Sequence, residues 1–533
     1  MKDSFFYPAV ISIIFILITI PLITKIRATP PGYMYTYSQG YYLDYDYYLS
    51  LMRQGRRWWW VYPVYTTEHA AATVIQILYV YLGKIAFVTG LPNVIVYYLA
   101  KYAFIIFFCT SLYLLLSLFF SGKWRRIAFL LILFSSSLPP IQLLGGKLSF
   151  IDPYPWWVPF GSALHRVTTV PHHLLSLALV MVTLYFWLRF RQKKKRSFLA
   201  AALILQAIGI LNFPPPGVVL AGGIGIFSLL TWGDWAEKGK IRVLFPAIIF
   251  LLISFLSFLV IYWQTKYDPS WGAEFANGSR FFRQSLPIPT ILSDYGSVFG
   301  LLWLFIIGAL GRLKSLPKPG KLIVFLFLAP FILIPITALV GGDSYRIASN
   351  GAFIWVGILT TYSCIALESW LKGRFGKRKG GILGTAVVLL AFLVSLPGFL
   401  YYYKTELQIE WKTSVYIPKE WIEGLTFLQK TASPGSIVLS REHVGALVPM
   451  YTDLRPFLAH RDLTKSFSQK EEKAFKIYTN TMSVEDAKTF LKDNHIDYVY
   501  WGWYESDLGK EPVNNTLLTK IFHKGNVSLY RVN

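Results

Sequence analysis

Long apolar runs recur through the first 400 residues, and they decide what this chain can fold into. Most are about 17–25 residues long, the length a helix needs to cross the hydrocarbon core of a bilayer. Inside lipid a lone segment must satisfy its own backbone N–H and C=O groups, so such runs fold as helices. Eleven are expected, at about 8–25, 93–120, 127–145, 172–189, 198–212, 217–232, 243–263, 295–311, 321–340, 351–370 and 381–400. The stretch 73–89 is also apolar but carries Gln76 and Lys84, which suits the membrane interface as well as a crossing.

Only 15% of the residues are charged, where a soluble domain carries about 25%. The deficit is uneven: twelve acidic residues fall in 1–400 and sixteen in 401–533. The expected fold is therefore mostly α, a polytopic membrane domain over 1–403 with a long first outer loop at 26–72, followed by a small soluble α/β domain at 404–533. In that last part Lys419–Lys430 has helical period and Ser436–Ser440 reads as a strand. Ser483-Val484-Glu485-Asp486 is a capping box opening a helix to about Asn494, and Tyr498–Trp501 and Val527–Val532 read as strands. The part holds no glycine-rich phosphate loop and no nucleophile motif.

A net charge of +24 could suggest nucleic acid, but the excess sits in short loops between apolar runs. There it reports topology. One alternating set of loops carries twenty-one Lys and Arg, and the other set after the second span carries six. The positive-inside rule puts the first set in the cytoplasm. The N-terminus is then cytoplasmic, and the 41–69 loop and the C-terminal part are extracytoplasmic, in the plasma membrane. The first apolar run, Pro8–Ile23, reads as a retained anchor. Cys109 and Cys364 both fall inside expected spans, which argues against a disulfide framework.

Against this background the stretch Tyr41–His69 needs a reason. It holds Asp44 and Asp46, then Arg53, Arg56 and Arg57, then Trp58-Trp59-Trp60, then Glu68-His69. The two carboxylates can take a divalent metal or supply a general base. They can equally start a helix, with Asp44 as N-cap and Asp46 in the first turn. Positive charge kept on the outer side suits an anion, so Arg53 is a candidate phosphate contact, with Glu68 and His69 completing the site. His165-Arg166 and His172-His173 flank the outer start of the 172–189 span. Tyr345-Arg346 lies in a very short outer loop, where a guanidinium is costly unless paired and matches a phosphate bidentately. All eight histidines fall on the expected outer side or at its boundary.

The arrangement resembles the GT-C superfamily of integral membrane glycosyltransferases. It has one span, a long outer loop with an early acidic residue, about ten further spans and an outer C-terminal domain. Asp44–Gly55 (DYDYYLSLMRQG), Tyr65-Thr66-Thr67-Glu68, Gly83-Lys84, Asp497–Tyr500 and Val527–Val532 are similar to an uncharacterised prokaryotic branch. The resemblance implies transfer of a sugar from a polyprenyl-phosphate donor to a glycan, lipid or protein acceptor at the outer face of the membrane, with no nucleic-acid partner. It implies that Asp44, or else Asp46, acts as base and that Arg346 holds the carrier phosphate. It leaves open a divalent metal (Mg or Mn), which some members need. The chain lacks the Asp-Glu pair of the protein-mannosylating subgroup and the W-W-D signature of oligosaccharyltransferases. The alternative reading is a non-catalytic transporter, flippase or assembly subunit for lipid-linked glycans. It is disfavoured because no internal repeat is visible and the ionisable groups gather at one interface.

Overall fold

The computed structural model describes residues 3–38, 42–134, 141–144, 147–150, 170–231, 240–272, 302–339, 346–347, 351–408, 415–509 and 516–533. Two compact units emerge. One comprises Met1–Thr19, Lys101–Ile261 and Ser279–Gln408, and the other Ile20–Ala100, Tyr262–Gly278 and Ile409–Asn533.

The first unit is helical. Across the described residues of the whole chain, six helices are long and apolar enough to cross a membrane: Phe5–Arg27, Asn93–Leu116, Pro171–Lys193, Leu244–Tyr267, Lys318–Ile336 and Ala352–Leu407. The chain is an integral membrane protein. The expected 198–212 and 217–232 spans are the 17-residue helices Arg196–Asn212 and Pro214–Leu230, separated by Phe213 alone. Pro214 suits this junction because its missing N–H falls at a helix start, where no partner is available. The last two expected spans lie in the single element Ala352–Leu407, interrupted at Gly376, where φ is 79°. The expected count of eleven spans is broader than what these residues support.

Packing in this unit follows membrane rules. Ile105, Phe108, Leu177, Met181, Phe327 and Ile358 belong to one core. Ile248, Leu252, Phe255 and Leu259 leave large apolar surface exposed along the Lys240–Tyr267 helix, as a lipid-facing stripe requires. A Cβ on Gly223 would sit 2.4 Å from Leu326 Cδ2, and one on Gly357 2.3 Å from Ile132 Cγ1. Small residues there let helices approach closely. Buried polar groups pair locally: Gln206 Nε2 donates to Gly217 O at 2.8 Å and to Ser254 Oγ at 2.9 Å.

The second unit carries a five-stranded sheet in the order Arg455–Pro456, Ile437–Leu439, Ile496–Trp501, Val527–Val532, Leu518–Lys524. The first three strands are parallel and the rest antiparallel. Helices Lys419–Thr431, Glu442–Tyr451, Phe467–Tyr478 and Val484–Asp493 accompany it. Ser483 caps the last of these, its Oγ accepting from the Asp486 N–H at 3.1 Å. A separate antiparallel pair joins Tyr33–Tyr35 to Tyr416–Pro418, so early and late parts of the chain share this unit.

Helix Tyr42–Gln54, the aspartate helix, packs on helix Ile77–Thr89 in the same unit. A Cβ on Gly83 would lie 1.8 Å from Met52 O and one on Gly55 2.3 Å from Val80 O. Only glycine permits this crossing, which gives Gly55 and Gly83 a physical role. Lys84 Nζ then donates to Gly55 O at 2.9 Å. The Ile77–Thr89 helix has 13 residues, about 20 Å of rise, too short to cross a bilayer about 30 Å thick.

Candidate active site

The aspartate helix runs unbroken because it contains no glycine or proline until Gly55, whose N–H closes it on Leu51 O at 3.1 Å. It begins two residues before the expected start. Asp44 is therefore in the first turn and not at the N-cap, still favourably placed at the positive end of the helix dipole. Two positions apart, Asp44 and Asp46 lie about 200° apart around the axis. Their environments differ accordingly. The Asp44 side chain is 44% exposed, whereas Asp46 is 3% exposed. Burial pushes the Asp46 carboxyl well above the usual carboxylate range, and the His460 charge only partly opposes it. Among the described residues its Oδ1 accepts no hydrogen bond.

His460 arrives from the other end of the chain. It follows the Arg455–Pro456 strand, whose ladder extends through the Phe457 N–H to Val438 O at 2.8 Å. Its Nε2 lies 3.6 Å from Asp44 Oδ1, a close polar contact but longer than a hydrogen bond. Its Nδ1 accepts from the Asp462 N–H at 3.1 Å. The turn holding it is pinned in place: Thr464 N–H donates to His460 O at 2.8 Å, and Thr464 Oγ1 donates to Tyr65 O at 2.9 Å. Tyr65 OH in turn donates to Ala446 O at 3.1 Å.

The other parallel strands deliver polar groups from the same carboxyl edge, the edge where open α/β sheets place ligands. Past Ile437–Leu439 come Arg441 and His443. Past Ile496–Trp501 come Gly502 and Glu505. His443 Nε2 and Tyr42 OH share a hydrogen bond of 2.9 Å. Burial, helped by the Arg441 charge, lowers the His443 pKa to about 4, so the ring is neutral at pH 7. Buried Glu505 accepts from the Arg441 N–H at 2.9 Å and the Gly502 N–H at 3.1 Å, and burial raises its carboxyl to about 7.

The other sequence candidates are placed as follows. Arg53 meets Asp453 at 3.2 Å, and Arg57 meets the same carboxylate at 2.8 Å. Glu68 pairs with Lys470 at 3.1 Å and accepts a short hydrogen bond from Thr66. Burial alone would raise Glu68, but Thr66 and Lys470 outweigh it and hold its carboxyl below the usual range. His69 is exposed. His172 and Arg346 belong to the helical unit. His172 is buried with its ring 5.4 Å from Phe213, and its carbonyl accepts from Asn212 Nδ2 at 2.8 Å. His165, Arg166 and Tyr345 lie outside the described residues. Among the described residues no group of three or more His, Cys, Asp or Glu could hold a metal. Asp44 and Asp46 do not fit as a shared ligand pair, because one is exposed and the other buried on a different helix face.

Sequence reasoning did not single out His460 and His443 as site residues. Their only signal was the gathering of all histidines on one expected side, which does not say which of them meets Asp44.

By sequence the chain matches no family model and no curated protein. By structure it is similar to archaeal oligosaccharyltransferase AglB from Archaeoglobus fulgidus in complex with an inhibitory peptide and a dolichol-phosphate. That match has TM-score 0.54 and 14% identity, over 91% of this chain and 69% of that one. It is similar to ArnT from Cupriavidus metallidurans bound to undecaprenyl phosphate, with TM-score 0.54 and 10% identity over 99% and 98%. It is also similar to arabinofuranosyltransferase AftD from Mycobacteria, with TM-score 0.53 and 11% identity over 97% of this chain and 40% of that one. The chain has the GT-C fold. The GT-C likeness rests on shape at low identity, so it fixes the fold and leaves the chemistry to the residues. One AglB structure is a complex with Zn and sulfate; that composition belongs to AglB.

Proposed function

We propose that this chain is a membrane glycosyltransferase that moves a sugar from a polyprenyl-phosphate donor to an acceptor, with Asp44 as the base. The observation that carries the choice of base is the contrast between the two carboxyls. Asp44 is open to an incoming acceptor and stands beside His460 Nε2, whereas Asp46 is buried away from any acceptor, and burial pushes its carboxyl well above the usual carboxylate range. A base must reach the proton it removes and must be ionised to accept it. The structures of AglB with dolichol-phosphate and ArnT with undecaprenyl phosphate support a lipid-phosphate donor.

In this reading the acceptor hydroxyl gives its proton to Asp44 as its oxygen bonds to the anomeric carbon of the sugar. The bond from that carbon to the phosphate oxygen breaks, and polyprenyl phosphate leaves with the electron pair. An anionic leaving group needs a cation placed where the charge develops. Arg346 is the proposed one, because its fork of donors matches two phosphate oxygens. The charge asymmetry of the loops supports an extracytoplasmic site in the plasma membrane, with 404–533 outside the membrane on that side.

Mass spectrometry of extracytoplasmic glycans tests this, comparing cells that lack the protein with cells carrying wild type, Asp44→Asn or Asp46→Asn. Wild type and Asp46→Asn restore a missing sugar, and Asp44→Asn does not. Restoration by Asp44→Asn would remove it as base. An unchanged glycan profile without the protein would favour the assembly-subunit reading.

A further inference from the structure

Nothing in the glycosyl-transfer reading requires His460, yet the fold takes trouble to place it. It is 4% exposed. Its ring lies 6.4 Å from that of Tyr65 with only 20° between the planes. Its Nδ1 is occupied by the Asp462 N–H. A neutral imidazole with an accepting Nδ1 carries its proton on Nε2, and Nε2 is the atom that faces Asp44. Protonating Nδ1 would set two N–H groups against each other and lose that hydrogen bond, so the backbone itself favours this tautomer.

Three carboxyls surround the ring. Asp44 and Asp46 come from the aspartate helix, and Glu442 comes from the Glu442–Tyr451 helix. Two of them are engaged or withdrawn. Burial raises Asp46, and Glu442 is also raised by burial while accepting the Arg461 N–H at 3.0 Å. The Arg461 guanidinium lies 3.8 Å from Glu471, and both charges also act on Glu442. Asp44 is the carboxylate left open to solvent.

We propose that His460 is a positioning residue for Asp44, its Nε2–H holding one carboxylate oxygen so that the other faces the acceptor hydroxyl. The proposal rests on Asp44 being the base. The 3.6 Å contact shortens to a hydrogen bond when the acceptor fills the site, since such bonds are often long before substrate binds. The proton taken from the acceptor stays on Asp44, and His460 keeps its own proton throughout, so the imidazole ends the cycle as it began.

The first experiment needs no substrate. Deuterium exchange at the imidazole C2 position, followed by mass spectrometry across pH 4–9 on the full chain in lipid nanodiscs, reads the titration of each histidine. Losing a neighbouring negative charge lowers a histidine pKa. Asp44→Asn is expected to move the His460 midpoint down by about 0.5–1 unit, Asp44→Glu to keep it near wild type, and Asp453→Asn to leave it in place. A His460 midpoint unmoved by Asp44→Asn overturns the proposal.

The second experiment measures the initial rate at which washed membranes of a deletion strain, using their own lipid-linked sugars, restore the missing sugar. With the variant expressed in those membranes, His460→Ala is expected to lower that rate about 10–100-fold at equal protein level. His460→Gln, whose amide N–H can take the place of Nε2–H, is expected to recover most of it. Full activity in His460→Ala, or equal losses in the Ala and Gln variants, overturns positioning. The two readings fail differently: active Asp44→Asn removes the base itself, whereas inactive Asp44→Asn with active His460→Ala removes only the role of His460.

Discussion

At its carboxyl end the aspartate helix presents Arg53, with Arg57 just beyond it, and Asp453 answers both, with Gln429 Nε2 donating to the same carboxylate at 3.1 Å. At its amino end the helix presents Asp44, which faces the Nε2 of a ring whose Nδ1 accepts the Asp462 N–H. One helix thus meets the 409–533 stretch twice with opposite outcomes. Where charge is matched by charge, the contact ties the helix to the late part of the chain. Where a carboxylate is left open beside the His460 Nε2, it can still take a proton. Arg53 is paired and Asp44 is open to solvent, about 13 Å apart along the helix axis at about 1.5 Å per residue.

The comparison breaks first at Asp44. Asp44→Asn is expected to lower sugar transfer by about 100–10,000-fold, the range for removing a general base, with the protein still folded by size-exclusion chromatography. If activity survives, the amino end is no more reactive than the carboxyl end. Asp453→Ala probes the opposite end and leaves Arg53 buried without its partner. Thermal unfolding in detergent should show a loss of about 3 kcal/mol, the lower end for breaking a buried pair because Arg53 keeps some solvent. Turnover per folded molecule should hold.

Asp46→Asn sharpens the contrast through pH. The folded state raises this carboxyl above its unfolded value, so the native form binds more protons between the two values. Stability from this group is then fully present below about pH 4, near the unfolded pKa, and falls as pH rises through the folded pKa. Asp46→Asn removes that slope, so the variant should gain on wild type in thermal scans as pH rises from 4 towards 8. A parallel pair of curves would mean Asp46 is ionised in the folded protein. Arg57→Ala should have the smallest effect, at most about 0.5 kcal/mol in the same scans, because this arginine is half exposed and Arg53 still holds Asp453.

Much of the fold was legible in the sequence. The apolar runs announced themselves by length, and the strands read at Tyr498–Trp501 and Val527–Val532 by residues that alternate or run apolar, the first starting two residues earlier in the structure. The Arg455–Pro456 strand was not legible, since two residues including a proline carry no period, and proline is tolerated there because the strand lies at the sheet edge. The site was half legible. Tyr41–His69 stood out through its charge against an apolar background, but charges do not name their partners. Nothing in sequence assigns Arg53 to Asp453 across 400 positions or tells Asp44 from Asp46. That last distinction comes from burial, which depends on what packs over each helix face.

The meeting of Tyr42 with His443 spans 401 positions, and this separation has a consequence in time. At about 5–20 residues per second of synthesis, the aspartate helix waits roughly 20–80 s on the ribosome before the segment that completes its surroundings exists. During that interval Tyr45, Tyr47 and Tyr48, buried in the finished protein, lack part of their cover. A nascent chain interrupted before position 460 carries the Asp44 carboxylate without the ring that faces it.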